Sequence, residues 1–163
     1  MIILDQDGPG GEPFSLFESG AMLMYLADKC GKFLPPVDDV RNRYVTIQWL
    51  MFQMGGVGPM LGQLGYFWKF AGSEIEDPRP RERYVAEAKR LLAVIEGQLD
   101  GRDWIAGDYS IADIALAPWI RGLDFYGAKE IVGWDGHPRM IAWLDRFLER
   151  PAVQTGLVTP RRD

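Results

Sequence analysis

The sequence predicts a mainly α-helical fold, in which a β-hairpin and one helix precede an all-helical domain. Apolar residues recur at helical spacing through most of the chain after the hairpin. Two short apolar segments, residues 2–4 and 14–17, flank a turn rich in glycine and proline, which is typical of a hairpin. A proline-containing linker over residues 33–37 separates the first helix from the rest. We therefore predict two domains, residues 1–34 and residues 39–163.

The composition argues against several classes of partner and site. The chain has 163 residues, of which 47% are hydrophobic and 25% charged, as expected for a globular protein with one good core. Its net charge of −5 argues against a nucleic-acid partner. No apolar run reaches the roughly 18 residues that a membrane-spanning helix needs. The chain has one cysteine, Cys30, so it cannot form an internal disulfide, which fits a protein of the reducing cytoplasm. With only one histidine, His137, besides this cysteine, we expect no zinc site.

The elements that follow the hairpin are predicted from caps and breakers. The first helix spans residues 19–29 and ends before Gly31, a residue type that readily adopts the left-handed conformation closing a helix. A second helix begins near Asp38 or Asp39. The glycines and the proline of residues 55–59 are expected to kink or break it, and the helical pattern then resumes.

Three further helices complete the predicted helical domain. One spans residues 81–99, and the last spans residues 138–149. Between them, a helix that opens at Ser110 is apolar nearly all round, so we expect it to be the buried central helix, with Pro118 limiting or bending it. Ser110 and Asp113 have the spacing of a capping box, and we assign them to structure rather than catalysis.

The segment that points most directly to function is Glu18-Ser19, between the second strand and the first helix. Free N–H groups and the positive end of the helix dipole make a helix N-terminus a natural anion site. An α-amino acid end would fit such a place, with its ammonium on Glu18 and its carboxylate on Ser19 and the N–H groups. The alternative is a capped helix with an acidic first turn.

Three stretches give the chain a resemblance to the glutathione transferase family over almost its whole length. They are the strand–Glu-Ser–helix segment of residues 17–34, the capping-box segment of residues 104–113, and the closing Arg-Pro-Ala-Val of residues 150–153. The run of residues 48–63 is similar to the bacterial Nu-class branch, whose members reduce disulfides with glutathione. The resemblance implies an all-helical C-terminal domain preceded by a hairpin-and-helix remnant of a thioredoxin-like α/β domain.

The resemblance also implies which residues bind glutathione. Glu18 and Ser19 match the pair that holds the γ-glutamyl end. Gln53 and Arg83 match a glutamine and an arginine that approach glutathione from the helical domain, although a polar residue beside a helix break and a solvated basic face are the alternatives. No catalytic residue is assigned, because the family's thiol activator lies ahead of the hairpin, where Met1 stands at the position of a cis-proline. Glutathione or its disulfide is the expected substrate, together with a disulfide or a small electrophile.

Apolar side chains of the helical domain are candidates for an acceptor pocket, although aromatic residues at helical spacing are more often core. The main candidates are Met54, Tyr66 and Phe125, and the others are Phe67, Trp68 and Trp119. Family members pair through helices that match the first two here, so a homodimer is expected. The alternative function is a non-catalytic helical module for binding or dimerisation.

Overall fold

The computed structural model describes residues 2–159, and its N-terminal part is the expected hairpin and helix. Strand β1, Ile2–Asp5, pairs antiparallel with β2, Phe14–Phe17. Helix α1, Ser19–Cys30, follows directly and ends at Gly31, whose φ of 65° is left-handed. Met1, to which the resemblance assigns the place of a proline, and residues 160–163 of the second predicted domain lie outside the described residues.

The rest of the described chain is helical. After the linker, Asp39 caps the next helix by accepting a hydrogen bond from the Asn42 amide at 3.3 Å. The helices are α2 (Val40–Phe52), α3 (Gly58–Trp68), α4 (Arg79–Gln98), α5 (Ile111–Tyr126), α6 (Pro138–Leu148) and α7 (Pro151–Leu157). Short 3-10 turns lie at Pro9–Gly11, Ala71–Glu74 and Trp134–Gly136. The mainly α-helical fold class is confirmed, whereas α7 has no counterpart among the predicted elements.

Where a kink or a break was expected at residues 55–59, the chain forms a π-helical segment. It spans Gln53–Val57, joins α2 to α3 without a loop, and ends where the Gly58 amide donates to the Gln53 carbonyl. The wider turn receives Pro59, which has no N–H to donate and would crowd a regular helix. Val57 is fully buried in the core, so packing holds the segment helical against the intrinsic cost of its glycines, about 1 kcal/mol each.

Pro118 does not limit α5, which continues eight residues beyond it to Tyr126. Pro118 is itself exposed, so its ring lies on the outer side of the helix. The neighbouring Leu116 and Ile120 are fully buried. Their packing keeps the helix intact, and α5 is the buried central helix that its composition predicts.

Two apolar clusters form the core. The larger one surrounds α5 with side chains from α3, α4 and α6. The smaller one joins α1 to α2, α5 and the linker through Ala27, Leu34, Leu50, Ile111 and Ala115. The smaller cluster therefore connects residues on both sides of the predicted domain boundary, which remains a prediction.

Residues 2–159 have neither a membrane-spanning helix nor a cluster of metal-ligating side chains. Within that range no helix combines the length and the hydrophobicity that crossing a bilayer requires. The same residues contain no group of three or more histidine, cysteine, aspartate or glutamate side chains placed to hold a metal ion.

Candidate functional site

Glu18 forms a strained turn between β2 and α1. Its φ is 69° and its ψ is 115°, a combination that residues other than glycine rarely adopt. Such strain persists only where the surrounding structure holds it, and it is concentrated at functional sites. The Glu18 carbonyl accepts the first helical hydrogen bond, from the Met22 amide at 2.9 Å. The carboxylate is exposed and has no hydrogen-bond partner among residues 2–159.

The N-terminus of α1 has no side-chain cap. Neither Glu18 nor Ser19 accepts from the backbone, and the Ser19 hydroxyl instead lies 3.7 Å from Met54 Sδ. The amides of Ser19, Gly20 and Ala21 therefore point out of the helix without an acceptor in the described part of the chain. This geometry departs from the capped-helix alternative and leaves N–H donors beside a free carboxylate.

Next to this turn lies an open cleft of about 370 Å³ between α1, the π-helical segment, α3 and α5. Ser19 lies at one side, and the rest of the lining is mostly apolar. The lining residues are Ser19, Gln53, Met54, Gly58, Pro59, Gly62, Gln63 and Trp119. The structure thus brings together four of the predicted residues, Ser19, Gln53, Met54 and the further pocket candidate Trp119.

Gln53 lines this cleft with an amide that has no partner. The residue is only 4% exposed, yet its side chain makes no hydrogen bond to any described residue. Its Nε2 is 2.7 Å from where a Cβ on Gly58 would lie, so the absence of a side chain at Gly58 gives the amide its room. The amide faces the open cleft, so a polar ligand there would give it a hydrogen-bond partner.

The floor of the cleft is formed by Trp119, one of the predicted acceptor-pocket candidates, and by residues for which no role was predicted, namely Gly58, Pro59, Gly62 and Gln63. Gly58 and Gly62 face the Trp119 ring, because Cβ atoms added to them would lie 3.2 and 3.7 Å from its nearest atoms. The sequence signal was present, because glycines at positions 58, 62 and 65 share one helix face and permit close packing of an aromatic residue. Pro59 and Gln63 carry no such signal.

The structure does not bring the other predicted residues into this cleft. Arg83 is exposed on α4 and lines a separate groove of about 640 Å³ with Met60, Tyr84 and Arg90 among others. Tyr66 stands twelve residues after Met54, about 18 Å further along the helix. Phe125 is at the same far end, where its ring packs 6.2 Å from the Phe70 ring.

Comparisons with known proteins agree with this architecture. Residues 78–146 match the family model described as "Glutathione S-transferase, C-terminal domain". A glutathione transferase from Burkholderia graminis, solved with two glutathione molecules bound per subunit, is 58% identical with a TM-score of 0.95. That similarity covers 99% of this chain and 68% of the other. The chain belongs to the glutathione transferase family.

Two further members of this family are similar over almost the whole chain. Disulfide-bond oxidoreductase YfcG of Escherichia coli is 43% identical over 158 residues, which are 96% of this chain and 70% of YfcG. A glutathione transferase from Pseudomonas putida, solved with one glutathione disulfide bound per subunit, is 57% identical with a TM-score of 0.95 and covers 98% of this chain. This chain spans 69% of that protein.

Proposed function

We propose that this chain forms the γ-glutamyl side of a glutathione site. Glu18 takes the ammonium of the γ-glutamyl end, while Ser19 and the free N–H groups of α1 take its carboxylate. The side-chain amide of Gln53, which has no hydrogen-bond partner among residues 2–159, donates a hydrogen bond to glutathione or accepts one from it. The observation that carries the proposal is the uncapped α1 N-terminus, which stands with its strained Glu18 beside the cleft that Gln53 lines.

The reaction that we propose for the site is disulfide reduction or conjugation with a small electrophile. In reduction, the glutathione thiolate attacks one sulfur of a disulfide, a mixed disulfide forms, and the other sulfur leaves as a thiolate. A second glutathione thiolate then attacks the mixed disulfide, which releases glutathione disulfide and the second thiolate. The names of the relatives support this choice, since YfcG is a disulfide-bond oxidoreductase and the solved structures hold glutathione or its disulfide. No residue of this chain is assigned as the thiol activator.

The remaining expectations stay part of the proposal. Arg83 would reach the glutathione from α4, and Met54 would contact the second substrate, with Tyr66 and Phe125 forming a more distant part of the acceptor surface. Residues 1–34 and 39–163 are the proposed domains. The proposed compartment is the cytoplasm, because glutathione thiol chemistry needs a reducing environment.

A glutathione titration followed by NMR tests the binding proposal. We expect a Kd for glutathione above the micromolar range, because the assigned residues contact only one end of the tripeptide. Replacing Gln53 by Ala should weaken it about tenfold, which corresponds to the loss of one hydrogen bond worth about 1.4 kcal/mol. Gln48→Ala is the matched control, since Gln48 is an exposed glutamine on α2. Equal affinity of both variants, or micromolar binding by the wild-type chain, would contradict the proposal.

An apolar stripe on α2 favours the second candidate function, a non-catalytic module for binding or dimerisation. Val40, Tyr44 and Met51 are 58%, 65% and 47% exposed, and they share one face of the helix. A chain that self-associates but leaves the NMR signals of Glu18 to Ala21 unchanged at saturating glutathione would favour this second function.

A further inference from the structure

We propose that Asp5 is a positioning residue for the glutathione site, because it holds the strained Glu18 turn in its binding geometry from the opposite end of the hairpin. The inference rests on the proposed function, and it assigns a role to a residue that neither the sequence analysis nor the comparisons selected.

Asp5 fastens the end of β1 to α1. Its Oδ2 accepts a hydrogen bond from the Tyr25 hydroxyl at 2.6 Å and from Lys29 Nζ at 2.5 Å. Tyr25 and Lys29 are four residues apart and so lie on the same face of α1. Lys29 Nζ also donates to the Asp7 carbonyl at 2.6 Å, which ties the start of the connecting turn to the same ammonium.

The second strand is held at the same level. Phe14 is directly opposite Asp5 in the hairpin register, and its ring centroid lies 5.4 Å from that of Tyr25. The chain therefore runs along β2 from Phe14 to the Glu18 turn and returns along α1 to Tyr25. The contacts of Tyr25 with Asp5 and Phe14 join the two ends of this path, so the Glu18 turn lies within a closed loop of contacts.

The Glu18 turn needs the support of these contacts, because the φ of 69° at Glu18 is unfavourable for any residue that carries a side chain. Among residues 2–159 the two four-residue strands pair only with each other, and such a hairpin is marginal and cannot supply this support alone. The Asp5 side chain is 18% exposed, and the hydrogen bonds from Lys29 and then Tyr25 lower its pKa from 3.8 to about 2. Its charge therefore persists at every pH where the protein would meet glutathione.

Without the Asp5 hydrogen bonds, a smaller fraction of molecules should have the Glu18 turn in the conformation that binds glutathione. If that fraction falls to about a tenth, the observed Kd for glutathione rises about tenfold. We expect this rise for Asp5→Ala in the NMR titration with glutathione. The matched control is Asp124→Ala, which removes the Asp124–Lys129 ion pair of 2.9 Å at an exposed place on α5 and should leave the Kd unchanged.

A double-mutant cycle separates positioning from general destabilisation. If Asp5 acts through the turn, the combined loss in Asp5→Ala with Ser19→Ala is smaller than the product of the two single fold-changes, because a displaced turn already weakens the Ser19 contact. Independent effects, which multiply, would overturn the inference. Lys29→Gln provides the same test if Asp5→Ala does not fold.

Hydrogen exchange gives a readout that needs no ligand. The Met22 amide donates to the Glu18 carbonyl, so its exchange should be at least several-fold faster in Asp5→Ala than in Asp124→Ala. Unchanged Met22 exchange overturns the inference whatever the affinity, and faster exchange with unchanged affinity overturns it as well. A wild-type chain that binds no glutathione refutes the proposed function, while the exchange still decides whether Asp5 holds the turn.

Discussion

Asp113 is a buried carboxylate that joins three parts of the helical domain. It accepts hydrogen bonds from the amides of Ile105 at 3.0 Å and Ser110 at 2.9 Å, and from Trp143 Nε1 at 2.8 Å. Ser110 Oγ in turn accepts from the Ala112 amide at 3.2 Å, which gives α5 its capping box. The side chain therefore links the loop before α5, the start of α5, and α6.

Replacing Asp113 by Asn should destabilise the fold by about 3 kcal/mol, because an amide group offers one acceptor oxygen where the carboxylate offers two and leaves buried donors unpaired. Urea unfolding followed by circular dichroism measures the change. Asp108→Asn, at an exposed position in the same loop, is the control and should change the unfolding free energy by less than about 0.5 kcal/mol. A loss below about 1 kcal/mol for Asp113→Asn would contradict this role.

The same residue has a pH signature with a definite sign. Burial raises the Asp113 pKa above its ordinary value of 3.8, against the lowering effect of its hydrogen bonds. The folded state then binds the proton more tightly than the unfolded chain, so the contribution of Asp113 to stability falls as pH rises above 3.8. The stability difference between wild type and Asp113→Asn should accordingly be larger near pH 4 than at pH 7.

At the scale of elements, α3 depends on a glycine face that packs against α5. A Cβ added at Gly65 would lie 2.6 Å from the Tyr126 ring, closer than side chains approach. Gly65→Ala should therefore destabilise by about 1–3 kcal/mol through overpacking, although alanine is the better helix former. Gly97→Ala in α4 is the matched control, since its Cβ would meet nothing within 4 Å and should stabilise by up to about 1 kcal/mol. Thermal unfolding of the two variants should shift in opposite directions, and a shared direction would contradict this account.

The elements also show what the sequence could and could not predict. Local signals sufficed for the Ser110 cap and the central helix, because each depends on residues within one or two turns. The π-helical segment was missed because packing of Val57, which is a long-range effect, decides against the local preference of the glycines. The unpaired amide of Gln53 and the separation of Met54 from Phe125 depend on how helices are placed, and spacing along one helix does not determine that.

At the scale of the whole molecule, the outer face of α2 is apolar. Val40, Tyr44 and Met51 lie within about 40° of one another around the helix axis, while the buried Leu50 lies about 100° away from Met51. Further exposed apolar side chains lie nearby in the chain on the hairpin and α1, namely Ile2, Leu4, Phe17 and Leu26. Exposed apolar side chains that share one face of a helix, as on α2, are typical of a protein–protein interface.

We therefore expect two copies of the chain to pair through α1 and α2, with a mass by light scattering of twice the 18.5 kDa of one chain. Tyr44→Glu places a charge at the centre of the proposed contact, where its burial against apolar side chains is unfavourable, and should give a monomer. Val158→Glu changes an equally exposed residue at the end of α7 and should leave the dimer intact. A wild-type monomer at high concentration would contradict the pairing, and a dimer that survives Tyr44→Glu would show that a different face forms it.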